Sequence, residues 1–315
     1  MELMESEQTQ KGQRCRGTVL SIVGGLYEIY CPEKEPHIVP ARARGAFRHE
    51  GMRPLAGDSV IIAKEREESE WRVEEILPRR CALIRPAFAN LDVMLLTVAA
   101  KDPMPDLLYI DKMLAIARYQ KIEGALIVNK TENDPAGAQR LQKIYAGAGY
   151  PVFCTDALSG GGVEAVRAFL VRRAAGKTVA FAGPSGVGKS TLLNEVCGDF
   201  NIPTGEISQK LGRGKHTTRH AELYKLPWGG YIADTPGFST FETNKYNIIK
   251  KEELAGCFRE FAEYDGKCKF RDCSHTKENG CRIIEAVSRG EIPESRHESY
   301  CRMFEEAKQI KEWEL

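Results

Sequence analysis

A glycine-rich stretch near the middle of the chain, Gly183 to Thr191, reads GPSGVGKST. It fits the pattern G-x-x-x-x-G-K-[ST], whose backbone N–H groups fold around phosphate oxygens. Thr178 to Ala182 is an apolar run that predicts a strand before the pattern, and a helical pattern begins after it. Because both flanks are present, we interpret the stretch as a phosphate-binding loop and not as a glycine-rich turn that matches by chance.

The chemistry of this loop gives its polar side chains separate roles. Lys189 would neutralise the outer phosphates of a nucleotide, and the Ser190 hydroxyl would coordinate Mg²⁺. The positive end of the following helix would strengthen the same field. The residues predicted to surround the phosphates are Gly183, Pro184, Ser185, Gly186, Val187, Gly188, Lys189, Ser190 and Thr191.

A second polar group follows the predicted strand GALIV and begins at Asn129. Asn129 and Lys130, with Glu132 two places later, resemble the guanine-specificity motif of GTPases. A carboxylate there accepts hydrogen bonds from the ring N–H and the exocyclic amine of guanine, whereas adenine offers no such pair of donors. Asn129 would hydrogen-bond the other edge of the base, and Lys130 would pack along the site. The usual acid is aspartate, so the longer Glu132 leaves ATP open as an alternative nucleotide.

The next predicted strand ends at Cys154 and leads into Thr155, Asp156 and Ala157. In GTPases a small loop at this place offers a backbone N–H to the guanine oxygen; Asp156 stands where serine is common, and Ala157 fits the pattern. These guanine motifs precede the phosphate loop, which reverses the order found in ordinary GTPases. Circular permutation moves the chain ends while every strand keeps its place in the sheet, and the order here resembles that of the circularly permuted GTPases.

Two further segments after the phosphate loop predict nucleotide-sensing switches. Residues 203–220 are polar and glycine-rich, and a threonine there, either Thr217 or Thr218, would complete the Mg²⁺ shell and sense the γ-phosphate. The sequence DTPG follows a predicted hairpin and fits the pattern D-x-x-G. Asp234 would hold Mg²⁺ through water, and the Gly237 N–H would contact the γ-phosphate.

The residue after this glycine is Phe238, where many GTPases place a glutamine that orients the attacking water. Phenylalanine cannot orient water, so another group must do so. His216 is the nearest candidate in sequence, with contact to a partner as its alternative role. Arg213 is either an arginine finger, which would stabilise the negative charge on the phosphates in the transition state, or a solvated loop residue.

Three cysteines and a histidine close to the carboxyl end have the spacing C-x₄-C-x-H-x₅-C: Cys268, Cys273, His275 and Cys281. Four protein ligands match a closed structural Zn²⁺ site, which leaves no open position for catalysis. The intervening residues are polar and could not build a core without the metal; the alternative is a set of unrelated thiols. Lysines and an arginine make this zinc knot basic, which suits an RNA backbone.

The surrounding sequence predicts the elements that position these groups. Short β-rich runs from Arg14 onward, turning at Gly24 and Gly25, predict a small barrel of the OB-fold type. Its arginine-rich stretch between Arg42 and Arg53 either grips phosphates or is a solvated loop. Strands and helices then alternate, which is typical of a parallel α/β sheet. Helical patterns surround the knot, from Lys251 to Tyr264 before it and from Ile283 to Arg289 and Arg296 to Trp313 after it. The predicted domains are an OB-fold RNA-binding domain (1–82), a circularly permuted GTPase domain (83–245) and a helical zinc-binding domain (246–315).

Composition places few limits on function. The chain has 315 residues, with 45 Lys and Arg against 44 Asp and Glu, so any basic surface must be local. The polar amino terminus predicts no signal peptide, and no apolar run approaches the length of a membrane span. Most of the 10 cysteines are scattered singly, which indicates a reducing cytosol and not a disulfide framework. Nothing in the sequence demands a dimer, so we expect a monomer.

Together, the OB-like barrel, the permuted GTPase motifs and the Cys-Cys-His-Cys knot resemble the bacterial ribosome small-subunit-dependent GTPase A family. The resemblance implies a cytoplasmic assembly factor that works alongside others and binds the immature small ribosomal subunit and its rRNA. It would hydrolyse GTP to GDP and phosphate, stimulated by the subunit, with a histidine at the His216 position in place of the missing glutamine. Glu132, Asp156 and a pair of threonines instead of three depart from the family pattern. The alternative function is a nucleotide-modulated RNA-binding module without significant stimulated turnover.

Overall fold

The computed structural model describes residues 13–49, 51–66, 69–84, 87–198, 222–226, 228–234 and 249–310. The predicted catalytic residues His216, Thr217 and Thr218 lie outside these ranges, as do Arg213 and Gly237. No helix within the described ranges is long and apolar enough to cross a membrane.

The amino-terminal part is a closed barrel of five strands in the order β1-β2-β3-β5-β4. Strands β3 and β5 pair in parallel and the other neighbours pair antiparallel, which is the five-stranded Greek-key arrangement of the predicted OB-fold. Alternate side chains point inward, and several of them are completely buried, among them Val19, Ile29, Val60 and Val73. The elements are β1 (Gln13–Val23), β2 (Leu26–Tyr30), β3 (Ile38–Ala43), α1 (Ala46–His49), β4 (Ser59–Lys64) and β5 (Trp71–Ile76).

A short connection fixes the barrel to the rest of the chain. Strands β6 (Ala82–Leu83) and β7 (Phe88–Ala89) form a two-stranded ladder that the sequence did not predict. Beside it, the fully buried Asp58 accepts a 2.8 Å hydrogen bond from the Arg79 guanidinium. Because a buried carboxylate is costly without its cation, this pair holds the connection in one geometry.

The central part is a six-stranded sheet in the order β10-β9-β8-β11-β13-β12, in which only β12 runs antiparallel to its neighbour. All seven residues of β8 are buried, as the sequence predicted for a central parallel strand. The strands are β8 (Val93–Ala99), β9 (Glu123–Asn129), β10 (Val152–Cys154), β11 (Thr178–Ala182), β12 (Glu222–Lys225) and β13 (Tyr231–Asp234). The predicted α/β domain with a parallel sheet is confirmed.

Helices cover both faces of this sheet. Leu96 and Val98 of β8 pack with two helices on one face, and Val93 and Leu95 pack with two helices on the other, because successive strand residues point to opposite sides. The first pair is α2 (Leu107–Tyr119) and α3 (Pro135–Gly147); the second is α4 (Val163–Arg173) and α5 (Lys189–Cys197). Since the parallel strands all end at one edge, residues that follow β9, β10, β11 and β13 converge there.

The carboxyl-terminal part contains α6 (Lys251–Leu254), two 3₁₀ turns (Ala255–Cys257 and Arg259–Tyr264), α7 (Arg282–Ser288) and α8 (Glu294–Lys308). The sequence predicted one helical stretch from Lys251 to Tyr264, but the backbone is extended at Phe258. The ring of Phe258 is buried and meets Tyr300 edge-on at 5.3 Å, so aromatic packing breaks the helix.

A buried ionic network joins this part to the sheet domain. Arg296 of α8 donates a 2.6 Å hydrogen bond to Asp111 of α2. Its two other guanidinium nitrogens donate one hydrogen bond each to the two carboxylate oxygens of Glu260. Arg296 and Asp111 are each 1% exposed, and the Tyr145 hydroxyl of α3 donates to the same oxygen of Asp111. Such a network fixes the register of packed elements, because each charge would be destabilising if its partners moved away.

Candidate functional site

A cleft of about 540 Å³ lies at the carboxyl edge of the central sheet. Its walls come from three of the predicted motifs: the stretch that begins at Asn129, the loop that begins at Asp156, and the phosphate loop between Ser185 and Thr191. Asn133 and Leu158 also line the cleft, although the sequence motifs assigned no role to either residue. The fold therefore gathers residues far apart in the chain into one site.

Asn129, the last residue of β9, joins the three walls. Its side chain is buried, and Nδ2 donates a 2.9 Å hydrogen bond to the carbonyl of Val187 in the phosphate loop. Its Oδ1 accepts from the Thr155 hydroxyl at 3.0 Å and from the Ala157 N–H at 3.1 Å. Two donors on the oxygen fix which way the amide points, and the second N–H of Nδ2 is then available to a ligand in the cleft.

The phosphate loop has glycine where backbone geometry requires it. At Gly188 φ is 90°, and a Cβ atom there would lie 2.4 Å from Asn129 Nδ2. At Gly183 φ is 136°, and a Cβ atom would lie 2.0 Å from the carbonyl oxygen of Thr97 in β8. The two glycines thus let the loop approach the guanine motif on one side and the central strand on the other.

Lys189 and Ser190 begin α5, directly after the loop. The Lys189 ammonium donates to the carbonyls of Gly183 at 2.8 Å and Pro184 at 2.5 Å. Burial lowers the pKa of Lys189 to about 8, since a desolvated ammonium is less stable. A phosphate group near this lysine would favour its charged form. Ser190 is half-buried in the first helical turn and lines the cleft, where its hydroxyl can serve as an oxygen ligand for Mg²⁺.

The remaining guanine-motif residues lie on the rim of the cleft. Lys130 has a left-handed backbone, with φ at 58°, and its ammonium donates to the carbonyl of Asp102 at 2.6 Å. Glu132 is exposed in a 3₁₀ turn (Thr131–Asn133), with its carboxylate open to a ligand. Thr131 ties this turn to the adjacent loop, because its N–H donates to the carbonyl of Thr155 at 3.2 Å.

Asp156 stabilises the loop in which it lies. Its carboxylate accepts from the Leu158 N–H at 3.1 Å and from the hydroxyl of Ser159. The Ser159 hydrogen bond lowers the pKa of Asp156. The sequence predicted that a backbone N–H of this loop meets the guanine oxygen; the N–H of Ala157 donates to Asn129 in this structure. Thr155 is the functional residue that sequence reasoning left without a role; its position just after a parallel strand was the available signal.

The predicted switch residues are only partly described. Asp234 ends β13 at the same edge of the sheet, paired with Glu222 of β12. The other members of the DTPG motif follow it outside the described residues.

The four predicted metal ligands come together in the carboxyl-terminal part. Their donor atoms all lie within 4.8 Å of one another. His275 Nδ1 is 3.6 Å from Cys268 Sγ and 3.5 Å from Cys281 Sγ, and the two sulfurs are 3.9 Å apart. A tetrahedral Zn²⁺ with ordinary bond lengths requires about 3.6 Å between sulfur and nitrogen and about 3.8 Å between sulfurs. The donor set therefore fits zinc.

Hydrogen bonds from neighbouring residues hold the backbone around this cluster. Glu278 accepts from the N–H groups of Ser274 at 2.8 Å and Thr276 at 3.1 Å, on either side of His275. Although burial opposes ionisation, the hydrogen bonds from Ser274 and the backbone lower the pKa of Glu278 to about 2. The Tyr300 hydroxyl donates to the carbonyl of Ser274 at 2.8 Å. The loop is thus shaped around the metal ligands.

The protonation state of the ligands makes metal binding depend on pH. Burial, with a contribution from the nearby Cys281, raises the pKa of the Cys273 thiol to about 12. Burial lowers the pKa of His275, which favours the neutral imidazole that binds metals. Metal binding must therefore displace protons from the thiols, which makes it dependent on pH.

The strand order and the cleft define a class: a P-loop GTPase in which the guanine motifs precede the phosphate loop, that is, a circularly permuted GTPase. The RsgA GTPase family model matches residues 76–244, and the RsgA N-terminal domain model matches residues 16–71. The chain belongs to the RsgA GTPase family, a family of GTP hydrolases.

Known relatives and structures resemble the chain over almost its whole length. The small ribosomal subunit biogenesis GTPase RsgA of Ruminiclostridium cellulolyticum is 40% identical over 298 residues, which cover 94% of this chain and 95% of that protein. The crystal structure of YjeQ from Thermotoga maritima matches with a TM-score of 0.78 at 34% identity, covering 95% of this chain and all of that one. The crystal structure of YloQ, described as a circularly permuted GTPase, matches with a TM-score of 0.75 at 27% identity. The match covers 98% of this chain and 99% of that one.

Proposed function

We propose that this protein binds GTP in the cleft at the carboxyl edge of the sheet and hydrolyses it during biogenesis of the small ribosomal subunit. The observation that carries the proposal is the single cleft lined by both the guanine motif and the phosphate loop, which Asn129 joins. The partner is inferred from relatives that are named small ribosomal subunit biogenesis GTPases and are about 40% identical.

Guanine would lie against the rim formed by the guanine motif. Glu132 would accept from the ring N–H and the amine of the base, and the remaining N–H of Asn129 would donate to the opposite edge. Lys130 would pack along the base, while the loop at Asp156 and Ala157 closes the side. The exposed Glu132 has room to turn toward the base, which supports guanine selectivity despite its extra methylene.

The phosphates would lie along the backbone from Gly183 to Thr191, at the positive end of α5. Lys189 would exchange its contacts with loop carbonyls for contacts with the outer phosphates. Ser190, with Asp234 and either Thr217 or Thr218, would hold Mg²⁺, which neutralises charge on the phosphates. The Gly237 N–H would contact the γ-phosphate, and His216 would orient the attacking water.

The zinc cluster would hold the carboxyl-terminal part in shape, since all four ligand positions belong to the protein. Four basic residues of the knot would then face an RNA backbone: Lys267, Lys269, Arg271 and Lys277. On the barrel, the ammonium groups of Lys34 and Lys64 lie 5.0 and 5.4 Å from the Trp71 ring centroid. An aromatic ring flanked by cations suits single-stranded RNA.

Arg42 on the barrel pairs with Glu70 at 3.5 Å, so the arginine-rich stretch is partly neutralised within the barrel itself. Contact with rRNA would therefore depend on the face around Trp71 more than on this stretch. We further infer a cytoplasmic monomer that works with other assembly factors on the subunit.

Turnover in the presence of ribosomal subunits tests the proposal. Purified full-length protein is given GTP with no ribosome, with small subunits and with large subunits, and released phosphate is measured. We expect small subunits alone to raise the hydrolysis rate. A rate that small subunits do not change would favour the RNA-binding module without stimulated turnover.

Nucleotide competition tests the choice of base. GTP and ATP are titrated against a bound fluorescent GDP analogue, first with the wild-type chain and then with Glu132→Asp. We expect GTP to displace the analogue at much lower concentration than ATP in both proteins. Displacement by ATP at equal or lower concentration would contradict the assignment of Glu132 to guanine.

A further inference from the structure

The barrel touches the central sheet at a second place besides the connection at β6 and β7. The Lys225 ammonium at the end of β12 lies 4.1 Å from the ring centroid of Tyr30 at the end of β2, and it donates to the Tyr30 hydroxyl. The rings of Tyr30 and Tyr231 meet edge-on at 6.4 Å, and Thr18 of β1 hydrogen-bonds the Tyr231 hydroxyl. We name the three residues Tyr30, Lys225 and Tyr231 the clamp.

The clamp lies on strands that lead to the nucleotide site. Tyr231 begins β13, and Asp234, the first residue of the DTPG motif, ends it. Tyr231 also pairs with Thr178, the first residue of β11, which runs directly into the phosphate loop. Strand β13 therefore contacts the barrel at its first residue and leads to the DTPG motif at its last, and its neighbour β11 leads into the phosphate loop.

The β12–β13 hairpin also has a particular place in the sequence. It connects the predicted switch segment 203–220 with the DTPG motif, so both predicted switches are joined to the hairpin that the barrel contacts. A switch segment that is ordered by the γ-phosphate changes the backbone that flanks it. The hairpin is the described element that lies between the two predicted switches.

The barrel does not need the clamp for its attachment. At β6 and β7 three contacts already fix it: the ion pair of the buried Asp58 with the half-buried Arg79, a 3.0 Å hydrogen bond from Asn90 Nδ2 to the Gly57 carbonyl, and a backbone bond from Ala89 to Ala56. The clamp by contrast is exposed at Lys225 and half-buried at both tyrosines. A cation–π contact at such a site is weak enough to be broken and remade, unlike a buried ion pair.

We propose that the clamp couples the barrel to the nucleotide site, so that the barrel responds to the nucleotide and a ligand on the barrel changes turnover. This rests on the proposed function, in which the barrel contacts rRNA and the switches sense the γ-phosphate. The coupling is reciprocal: whatever the nucleotide does to the barrel, RNA on the barrel does to nucleotide binding by the same factor. The coupling cannot exceed the strength of the clamp contacts. A cation–π contact of this kind corresponds to a change of about two- to tenfold in affinity or rate.

The first test uses no ribosome. Amide hydrogen exchange is measured on the full-length protein bound to GDP and to a non-hydrolysable GTP analogue, for the wild type and for Lys225→Met. The clamp predicts that exchange in Leu26–Tyr30 of the barrel differs between the two nucleotides in the wild type and not in the variant. Lys308→Met is the matched control, since Lys308 lies 5.6 Å from the Phe304 ring centroid in α8, far along the chain from the barrel.

The second test measures subunit-stimulated hydrolysis for the same variants and for Tyr30→Phe. We expect Lys225→Met to lower the stimulated rate at saturating subunit by about two- to tenfold, with unstimulated hydrolysis unchanged. Tyr30→Phe, which keeps the ring, and Lys308→Met should both retain stimulation.

Stimulation of the wild type together with equal stimulation of Lys225→Met would overturn the clamp and leave the proposed function standing. Barrel exchange that is the same with both nucleotides in the wild type would also overturn it. A wild type that subunits do not stimulate would remove the proposed function, and the clamp's effect on turnover with it.

Discussion

The carbonyl of Val187 accepts a 2.9 Å hydrogen bond from the buried amide of Asn129, 58 residues earlier in the chain. The bond joins the guanine motif to the phosphate loop, and Gly188 lacks the Cβ atom that would block it. Because the same amide accepts from Thr155 and Ala157, base recognition and phosphate binding share one set of contacts. Changes at any of these residues should therefore alter the affinity for the whole nucleotide.

Thr155→Val should weaken GTP and GDP binding by a similar factor. The substitution keeps the shape of the side chain and removes a hydroxyl that fixes the Asn129 amide, while the Ala157 N–H remains on the oxygen. Loss of one such buried hydrogen bond corresponds to about a fivefold loss of affinity. Titration with a fluorescent GDP analogue and competition by GTP measure the effect.

Thr131→Val is the matched control for this substitution. The Thr131 hydroxyl donates to the Thr155 carbonyl at 3.3 Å, whereas the Thr155 hydroxyl donates to the Asn129 amide. We expect its nucleotide affinity to stay close to that of the wild type. Equal losses in the two variants would show that Thr155 does not act through Asn129.

Nucleotide affinity should fall as pH rises through about 8. Burial lowers the pKa of Lys189 to about 8, and phosphate favours the charged form, so the free protein must take up a proton on binding above that pH. The affinity should therefore drop about tenfold between pH 7 and pH 9. Calorimetry at pH 9 in buffers of different ionisation enthalpy would register the proton uptake.

Lys189→Arg separates this effect from general alkaline damage. Arginine stays charged from pH 7 to pH 9. The variant should bind nucleotide more weakly than the wild type, but its affinity should depend little on pH. A wild-type affinity that is constant from pH 7 to pH 9 would show that Lys189 is fully charged in the free protein.

His216→Ala should slow hydrolysis while GTP affinity stays the same. A histidine that orients the attacking water acts only on turnover, and its loss should lower the subunit-stimulated rate by roughly one hundredfold. His220→Ala, from the same segment, serves as the control. Single-turnover phosphate release measures both variants, and an unchanged rate in His216→Ala would remove this histidine from the mechanism.

Cys273→Ala should release zinc and destabilise the carboxyl-terminal part. Three ligands remain in a loop that is shaped around four, and structural zinc contributes much of the folding free energy of such small units. Metal analysis should find about one zinc per wild-type chain and far less in the variant. Thermal unfolding should show an earlier transition.

Cys301→Ala is the comparison for the zinc prediction, because Cys301 is half-buried near His297 but lies outside the four-ligand cluster. It should keep its zinc. A Cys273→Ala protein that is free of metal and as stable as the wild type would contradict a structural role for the cluster.

Much of the fold could be predicted from sequence, because the patterns were local. The continuous apolar run of β8 is typical of a strand buried on both faces, and all seven residues are buried. The metal cluster followed from the spacing of four side chains within a short loop. The hairpin at Gly24 and Gly25 followed from turn chemistry.

The rest depended on contacts between distant residues. Neither the bond between Asn129 and Val187 nor that between Lys225 and Tyr30, 195 residues apart, leaves a periodic signal in the sequence. Phe258 broke a predicted helix because burial of its ring outweighed helical continuity. Arg296 was part of a helical pattern, and only packing showed that it is a buried cation joining two parts of the protein.

The most direct measurement is a crystal structure of the protein with Mg²⁺ and a non-hydrolysable GTP analogue. The account predicts phosphate oxygens against the backbone N–H groups of Gly183–Ser190, with the guanine edge within hydrogen-bonding distance of Asn129 and Glu132. A triphosphate bound elsewhere, or a base lodged away from Asn129, would contradict it.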